Sequence, residues 1–305
     1  MLMIESRYSS ILRVSARIKK FMTVSQKTPD EVVMPGKGAE HWNQVAMGWS
    51  LKGYSNELLA EHKRKTYLDL IARWANITST TNILKTDLFA EAFGQEQFLF
   101  DMTQNNSNVI AIDISKEIVA LAKKQAKQRN VDTSGYICCD VRHLPIQTNS
   151  IDLIISDSTL DHFPSEVDIV TALKELARVL QTGGTLILTI DNKSSLTYPP
   201  YIFIRLWMRL RLSPYFVGRT LSFARLRHTL EEIGLNIEEH TAILHYPHPD
   251  GLVRWLEHSL RRVSKGKLDN TIRKTLAYLG RLEGRRTKHL TGRYLAAKAV
   301  KREMT

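Results

Sequence analysis

The chain has 305 residues, a net charge of +12 at pH 7 and 43% hydrophobic residues. Its length allows one large domain or two small ones, and its apolar content is ordinary for a globular protein. The absence of any run of about 18 apolar residues excludes an ordinary transmembrane helix. The positive charge favours anionic partners, namely membrane surfaces, nucleic acid or acidic substrates, although a solvated basic surface accounts for it as well.

The N-terminal segment, residues 1–40, carries six cations and a single acid before Asp30. Ile11, Val14 and Ile18 are spaced like the apolar face of a helix, so we expect a basic helix that packs on the domain or touches an anionic surface. No apolar core or small-residue cleavage site follows, which makes a targeting peptide the less favoured interpretation.

Residues 41–79 are predicted to be helical and to cover the ligand edge of a sheet that follows. Two apolar runs, 82–86 and 109–112, then end at the carboxylates Asp87 and Asp113 and are joined by a helix-compatible stretch. This pattern is typical of a βαβ unit. Because ligands of open α/β sheets bind beyond the carboxyl ends of the strands, we expect both carboxylates where a nucleoside cofactor would lie.

Strand and helix continue to alternate as far as residue 190, which predicts a parallel, doubly wound sheet. Ser115 is expected to cap a helix that runs to about Asn130, and Ser222 to cap another. The glycine pair at 183–184 is expected to end a helix. The adjacent cysteines 138 and 139 lie in a predicted strand, so both are expected to be buried and to indicate a reducing compartment.

Three runs in the second half of this region resemble the class I S-adenosylmethionine-dependent methyltransferases, particularly those acting on small molecules and lipids. They are Asp-Val-Arg-His-Leu-Pro at 140–145, Ser-Ile-Asp-Leu-Ile at 150–154, and the helix, glycine turn and strand at 176–189. The resemblance covers roughly 41–300. It implies an α/β, Rossmann-like, doubly wound and mostly parallel seven-stranded sheet with an antiparallel last strand.

The same resemblance implies the domain organisation. A basic N-terminal segment, 1–40, would precede a methyltransferase domain, 41–305, that has a helical N-terminal cap. Helical insertions are expected near 194–221 and 250–290.

The resemblance also assigns a cofactor, S-adenosylmethionine, and residues that would bind it. Asp113, beside Ile114, would bind the ribose hydroxyls, since a carboxylate can accept two hydrogen bonds from a vicinal diol. Asp140 would accept a hydrogen bond from the adenine amino group, beside the backbone of Val141. The remaining candidates for cofactor binding are Asp87, Glu91, Gly94, Asp157 and Ser158.

The turn after the first strand departs from the family pattern. Relatives have a glycine-rich turn there, which lets backbone amides approach the cofactor, whereas the run 87–94 keeps only Gly94. Asp87 or Glu91 could bind the amino group of the cofactor, with Phe89 and Phe93 turned away from it. The alternative is a non-catalytic methyltransferase-like protein that binds a nucleoside, a membrane surface or nucleic acid.

The segment after the fourth strand, 156–164, holds the catalytic candidates His162 and Asp161. His162 could act as a general base on the acceptor side, because histidine titrates near neutral pH; the competing interpretation is a structural histidine. Ser158 stands where some quinone-ring O-methyltransferases have a metal-binding carboxylate, so no metal site is expected.

An insertion at 197–219 mixes bulky apolar residues with arginines. It is too short and too charged to span a bilayer. A lid over a hydrophobic acceptor, an interfacial membrane helix and a helix packed on the core remain open as interpretations.

The predicted function is methyl transfer to a small, apolar acceptor such as a lipid, quinone or polyketide-like metabolite, in a cytoplasmic protein that could touch an anionic membrane. A nicotinamide-dependent oxidoreductase would need a Gly-x-Gly-x-x-Gly turn, which the chain lacks. Nucleic acid is not favoured as a partner, because the sequence shows no recognition module and lacks the Pro-Pro-Tyr/Phe motif that amino-methylating members of the family have after the fourth strand. The Pro-Pro-Tyr sequence at 199–201 follows the fifth strand instead. The oligomeric state does not follow from the sequence.

Overall fold

The computed structural model describes residues 38–52, 57–93, 96–103, 108–200, 202–204, 217–246 and 250–303. Most of the basic N-terminal segment, Gly94 and the greater part of the arginine-rich insertion therefore lie outside the described residues. The predictions for these three regions stay predictions.

Seven strands form one mixed sheet in the order β3-β2-β1-β4-β5-β7-β6. Strands β1 to β5 pair in parallel, and β7 runs antiparallel to both of its neighbours. This confirms the predicted fold class with its antiparallel last strand. The strands are β1 (Ile83–Lys85), β2 (Val109–Asp113), β3 (Tyr136–Cys138), β4 (Ile151–Asp157), β5 (Leu180–Asp191), β6 (Leu235–Ile243) and β7 (Tyr294–Lys301).

Helices cover both faces of the sheet and continue into a long segment before the last strand. They are α1 (Ala39–Lys52), α2 (Glu57–Trp74), α3 (Phe89–Phe93), α4 (Phe98–Thr103), α5 (Lys116–Gln128), α6 (Glu166–Val179), α7 (Phe223–Glu232), α8 (Asp250–Ser264), α9 (Asp269–Gly280) and α10 (Lys288–Thr291). Two 3₁₀ turns span Leu160–His162 and Arg281–Gly284. None of the helices in the described ranges has the length and apolar content needed to cross a membrane.

The central strands read as continuous apolar runs because helices bury both of their faces. Leu153, Ile154 and Ile155 of β4 are all buried. The helices are amphipathic, and Ser115 starts α5 as predicted, its hydroxyl accepting from the Ile118 N–H at 3.2 Å. The predicted cap at Ser222 is confirmed in the same way on α7.

Two local predictions were wrong. The glycine pair does not end a helix: α6 ends at Val179, and Gly183 lies within β5 with φ of 76°, next to a register shift against β4. A left-handed residue suits such an irregularity in a strand as well as it suits a helix end. Cys138 is exposed rather than buried, because β3 is the edge strand of the sheet.

A buried glutamate holds the late helical segment to the N-terminal helices. Glu257 of α8 is 4% exposed, and its two carboxylate oxygens accept from the N–H groups of Leu58 at 2.9 Å and Leu59 at 3.0 Å. These amides belong to the first turn of α2, where backbone donors have no partner within the helix. The charge at this helix end is also favourable to the helix dipole.

Candidate active site

The strand order reverses between β1 and β4, and this switch point is where ligands of open α/β sheets bind. The carboxyl ends of β1, β2 and β4 bring Asp87, Asp113 and Asp157 to one edge of the sheet. Asp140 follows β3 at the same edge. The structure thus gathers the predicted carboxylates at one edge, where a nucleoside cofactor is expected.

A buried lysine, which the sequence reasoning did not single out, organises the turn after β1. Lys85 is the last residue of β1 and is completely buried. Its ammonium lies 3.1 Å from Asp157 Oδ1 and 3.2 Å from Glu91 Oε2, and it donates to the Asp87 carbonyl oxygen. The signal in the sequence was a lysine within an apolar strand, immediately before the first carboxylate.

The electrostatics of this lysine cluster are dominated by burial and by mutual attraction. Burial alone would lower the pKa of Lys85, but Asp157, Glu91 and Asp87 together outweigh it and raise that pKa. Burial raises the pKa of Glu91 and of Asp157, against the opposing pull of the Lys85 charge. A buried cluster of charges of this kind is stable only when all its members are present, because each charge is compensated by a neighbour of opposite sign.

Glu91 lies inside this cluster rather than at an open surface. Its second carboxylate oxygen accepts from the Leu99 N–H at 3.3 Å, and the side chain is completely buried. These contacts fix α3 and α4 relative to the strand end. Its role as a cofactor ligand stays a prediction.

Asp113 is held by two backbone amides from different loops. One oxygen accepts from the Ser115 N–H at 2.8 Å and the other from the Leu88 N–H at 3.2 Å. Burial, followed by the charge of Asp87, raises the pKa of Asp113 to about 8. A carboxyl group keeps acceptor positions beyond these two bonds in either protonation state, so capacity remains for a diol.

Asp140 is oriented by an arginine that the sequence reasoning also missed. The Arg142 guanidinium donates hydrogen bonds to both Asp140 carboxylate oxygens, the shortest being 2.6 Å. The backbone N–H of Arg142 donates a further bond of 2.9 Å to Asp140 Oδ1. The same guanidinium reaches Asp168 at 2.6 Å. Val141, between them, is buried in the core, which sets the loop against the sheet.

Ser158 begins the turn after β4 in a left-handed conformation, with φ of 50°. Its N–H donates to the Thr189 carbonyl and hydroxyl, each at 3.2 Å. Its own hydroxyl oxygen is buried and has no hydrogen-bond partner within the part of the chain that the structure describes. A strained backbone combined with an unsatisfied buried hydroxyl is the feature expected of a ligand contact.

Asp161 and His162 lie side by side in the following 3₁₀ turn but face different surroundings. Asp161 is buried, and its Oδ2 accepts from the Asp191 N–H at 2.9 Å; burial and the charge of Asp191 raise its pKa well above the ordinary value. The His162 ring is half-buried and meets the Trp42 ring edge-on, with centroids 4.7 Å apart. Of the two, His162 is the one nearer to an accessible surface.

The end of the arginine-rich insertion is anchored to this same turn. The Gly218 N–H donates to the Asp161 carbonyl at 2.8 Å. A Cβ atom at Gly218 would come within 2.3 Å of the Phe163 carbonyl oxygen, so only glycine fits this close backbone approach. Residues 217–220 therefore border the candidate catalytic turn.

An aromatic cluster from α1 and α3 covers the edge, which confirms the predicted helical cap. Trp42 lies 6.5 Å from the Phe89 ring, and Phe89 lies 4.6 Å from Phe93. The pKa of His41 is lowered by burial and by His162. Helix α1 is fixed further along by Asn43, whose side-chain oxygen accepts from the Ser115 hydroxyl at 2.6 Å.

A cavity of about 370 Å³ lies away from this edge, beside β6. Its charged side chains are paired with each other, as in Arg73–Glu283 at 2.7 Å, and the Trp74 indole donates to Glu239 at 3.0 Å. It lies at the β6 edge of the sheet rather than at the switch point between β1 and β4. In the described ranges, no cluster of three or more histidine, cysteine or acidic side chains could hold a metal ion.

The strand order and the carboxylates at its switch point define a Rossmann-like fold of the methyltransferase class. A family model described as "Methyltransferase domain" matches residues 92–188, a span that begins within the glycine-poor run 87–94. Over this span the chain is similar to methyltransferase domains, and the order of its strands agrees with that similarity.

Individual relatives are distant and cover only part of the chain. The chain is 35% identical over 89 residues to an uncharacterized protein of Methanocaldococcus jannaschii, covering 29% of this chain and 34% of that protein. It is 24% identical to a malonyl-[acyl-carrier protein] O-methyltransferase of Hamiltonella defensa, over 60% of this chain and 64% of the relative. The matches thus span less than two thirds of these relatives.

A similar solved structure is that of the [4+2]-cyclase SpnF. It aligns with a TM-score of 0.54 at 18% identity, covering 79% of this chain and 80% of that one. At this identity the likeness concerns the fold alone.

Proposed function

We propose that this chain binds S-adenosylmethionine and transfers its methyl group to a small, hydrophobic acceptor. The observation that carries the proposal is the Asp113 carboxylate at the carboxyl end of β2, beside the switch point and fixed by two backbone amides. The methyltransferase family model, which covers this strand, supports it.

The residues present fit the proposed cofactor at both of its ends. Asp113 retains acceptor capacity for a ribose diol, and the Ser158 hydroxyl is buried without a partner in the described ranges. Asp140, oriented by Arg142, would accept from an adenine amino group. Asp87, which is partly exposed, would face the positive methionine end.

Bound S-adenosylmethionine supplies an activated methyl group, so the protein has little acid–base work to do. Its task is to align the acceptor and to exclude water. His162 would accept the proton that a hydroxyl or amine acceptor loses, because it lies at the partly exposed side of the turn after β4. Trp42 and residues 217–220 would shape an apolar acceptor site around it.

A second candidate function is a methyltransferase-like protein that binds a nucleoside without transferring a methyl group. The specific observation in its favour is the turn after β1, where Lys85 and two phenylalanines replace the usual glycine-rich approach to the cofactor. The similarity to a structure titled as a [4+2]-cyclase shows that this fold also occurs in a protein named for another reaction.

The proposal includes a peripheral contact with an anionic membrane. An excess of 12 positive charges supports attraction to anionic lipid, and a lipid acceptor would be reached most directly at such a surface.

Isothermal calorimetry with purified protein tests the cofactor. We expect S-adenosylmethionine and S-adenosylhomocysteine to bind with roughly micromolar affinity, equivalent to about 8 kcal/mol. Asp113→Ala should weaken binding at least about tenfold, because the ribose diol loses its hydrogen-bond acceptor. Asp132→Ala, which removes an exposed aspartate before β3, is the matched control.

Two results would contradict the proposal. The first is an absence of binding heat for both ligands when circular dichroism shows a folded protein. The second is an equal loss of affinity in the Asp113 and Asp132 variants. Binding without turnover on any offered acceptor would favour the non-catalytic candidate.

A further inference from the structure

The hairpin formed by α8 and α9 carries an exposed apolar stripe near its tip. Leu256 and Leu260 are each 43% exposed, and Val263 is 85% exposed. At about 100° per residue these three side chains fall within about 60° of the helix circumference. Leu268, just beyond the turn, is also 40% exposed, whereas Val253 packs against the core.

Three exposed cations lie at the end of α8 and in the turn that follows it: Arg262, Lys265 and Lys267. None of them has an acidic partner in any ion pair recorded for the described residues. The neighbouring acids are already engaged, since Glu257 caps α2 and Asp269 pairs within the hairpin at 3.2 Å. The hairpin tip surface, defined by these four apolar residues and three cations, is therefore amphipathic and net positive.

The turn between the two helices presents the lysines in a fixed geometry. Lys265 and Gly266 both adopt left-handed backbone conformations, with φ of 50° and 81°. The Lys267 N–H donates to the Ser264 carbonyl at 3.0 Å, and the Asp269 N–H donates to the Gly266 carbonyl at 3.1 Å. The backbone of both lysines is thus fixed in the turn that directly follows Val263, at the end of the apolar stripe.

We propose that the hairpin tip surface docks on an anionic lipid membrane. The apolar stripe enters the boundary between headgroups and acyl chains, and the cations lie against the lipid phosphates, as in other amphipathic interfacial helices. Charge complementarity selects this occupant. The basic N-terminal segment of this chain has the same sign as the surface and is a poor alternative. The inference deepens the membrane contact proposed above and does not depend on methyl transfer.

Co-sedimentation of the full chain with lipid vesicles tests the docking. Vesicles of phosphatidylcholine mixed with phosphatidylglycerol should bind the protein, whereas phosphatidylcholine alone should not. Val263→Asp combined with Leu268→Asp should lower the partition coefficient at least about tenfold, because charged groups oppose burial in the interface. Lys265→Glu combined with Lys267→Glu should have an effect of similar size.

Matched controls distinguish binding through the hairpin tip surface from general attraction between a basic protein and anionic lipid. Val167→Asp alters a highly exposed apolar residue on α6, and Lys123→Glu with Lys124→Glu reverses the charge of two exposed lysines on α5. We expect these controls to bind vesicles nearly as the wild type does. All variants are checked for wild-type thermal unfolding before use.

Three outcomes would overturn the docking proposal: no binding to anionic vesicles, unchanged binding of the hairpin variants, or an equal loss in the controls. An acidic protein partner would become the better occupant if the first outcome held. Calorimetry with S-adenosylmethionine measures cofactor binding independently of vesicle binding. The membrane proposal and the methyltransferase proposal can therefore fail separately.

Discussion

The turns after β1 and β4 lie side by side at the switch point but differ in how their charged and titratable side chains are buried. The first is anchored by Lys85 with Glu91 and Asp157, a cluster of charges almost completely closed to water. The second continues past Asp157 into a partly exposed histidine that touches a tryptophan of the covering helix. Buried charges of this kind fix a shape, whereas a half-buried imidazole is available to a second substrate.

The difference also shows how a fold replaces a glycine-rich turn. Glycine normally allows the backbone to approach the cofactor closely. Here Lys85 instead ties the Asp87 carbonyl, α3 and the end of β4 together through its three donors. The turn is thus shaped by a side chain, and its stability depends on a complete set of ion partners.

Of the substitutions in the two turns, His162→Ala should have the largest effect, and that effect should be on turnover. If His162 is the general base, turnover should fall by about 10²–10⁴-fold while the affinity for the cofactor stays the same. A pH–rate profile and calorimetry measure the two quantities. His228→Ala, on the exposed face of α7, is the control. An unchanged acidic limb of the profile in His162→Ala would exclude the base role.

Lys85→Met should affect the fold rather than the chemistry. It leaves two buried carboxylates without their cation, which typically costs about 3–5 kcal/mol of unfolding free energy. Urea denaturation measures the loss. Arg64→Met removes a largely exposed partner of Asp101 and should cost less than about 1 kcal/mol.

A second variant keeps the Lys85 prediction testable if Lys85→Met does not fold. Lys85→Met combined with Glu91→Gln and Asp157→Asn neutralises the whole cluster and should recover part of the stability. A loss below about 1 kcal/mol in the single variant would contradict the view that the cluster holds the turn.

These two turns mark what the sequence could and could not predict. The alternation of strands and helices, the cap at Ser115 and the position of Asp113 all follow from local patterns, and the structure has them in place. The partners of Lys85 come from β4 and α3, and the Arg142 side chain spans two loops. Contacts that are made only by folding leave no periodic signal in the sequence. The sequence therefore predicts the carboxylates at the edge of the sheet but not the Lys85 and Arg142 contacts that hold them.

The glycine pair illustrates a different limit. Gly183 has the left-handed φ that a helix end demands, and the sequence predicts that use. The same backbone freedom serves the irregular start of β5 instead. A residue type can therefore indicate an unusual conformation without indicating which element contains it.

The raised pKa of Asp113 predicts a pH-dependent stability that belongs to the cofactor edge. A folded-state pKa of about 8 lies above the unfolded value, so the protonated carboxyl is favoured by folding. Its contribution is fully present at low pH and is lost as the pH rises towards about 8. For this group the slope is at most about 1.4 kcal/mol per pH unit.

Asp113→Asn removes this titration. Urea denaturation between mildly acidic and mildly alkaline pH should therefore give a shallower fall of unfolding free energy than in the wild type. Other buried acids, such as Asp157 and Asp161, leave a remaining slope of the same sign. Parallel curves for the two proteins would contradict a protonated Asp113 in the folded state.

The smallest effect should come from Tyr67→Phe, which tests whether support for the turn after β4 extends into the core. The Tyr67 hydroxyl lies 3.2 Å from the Thr189 hydroxyl, and Thr189 in turn accepts from the Ser158 N–H. Phenylalanine keeps the stack of this ring on Phe98 and removes one hydrogen bond, a loss of about 0.5–1.5 kcal/mol.

Thr189→Val provides the comparison for Tyr67→Phe because it removes both side-chain contacts and leaves Ser158 with only the Thr189 carbonyl. We expect it to cost more stability than Tyr67→Phe and to weaken cofactor binding as well, since the left-handed turn at Ser158 loses a support. Denaturation and calorimetry on the two variants decide the point. If Tyr67→Phe weakens cofactor binding as much as Thr189→Val does, the tyrosine hydroxyl itself sets the position of Ser158. The candidate site would then depend on Tyr67 in the core as well as on Thr189.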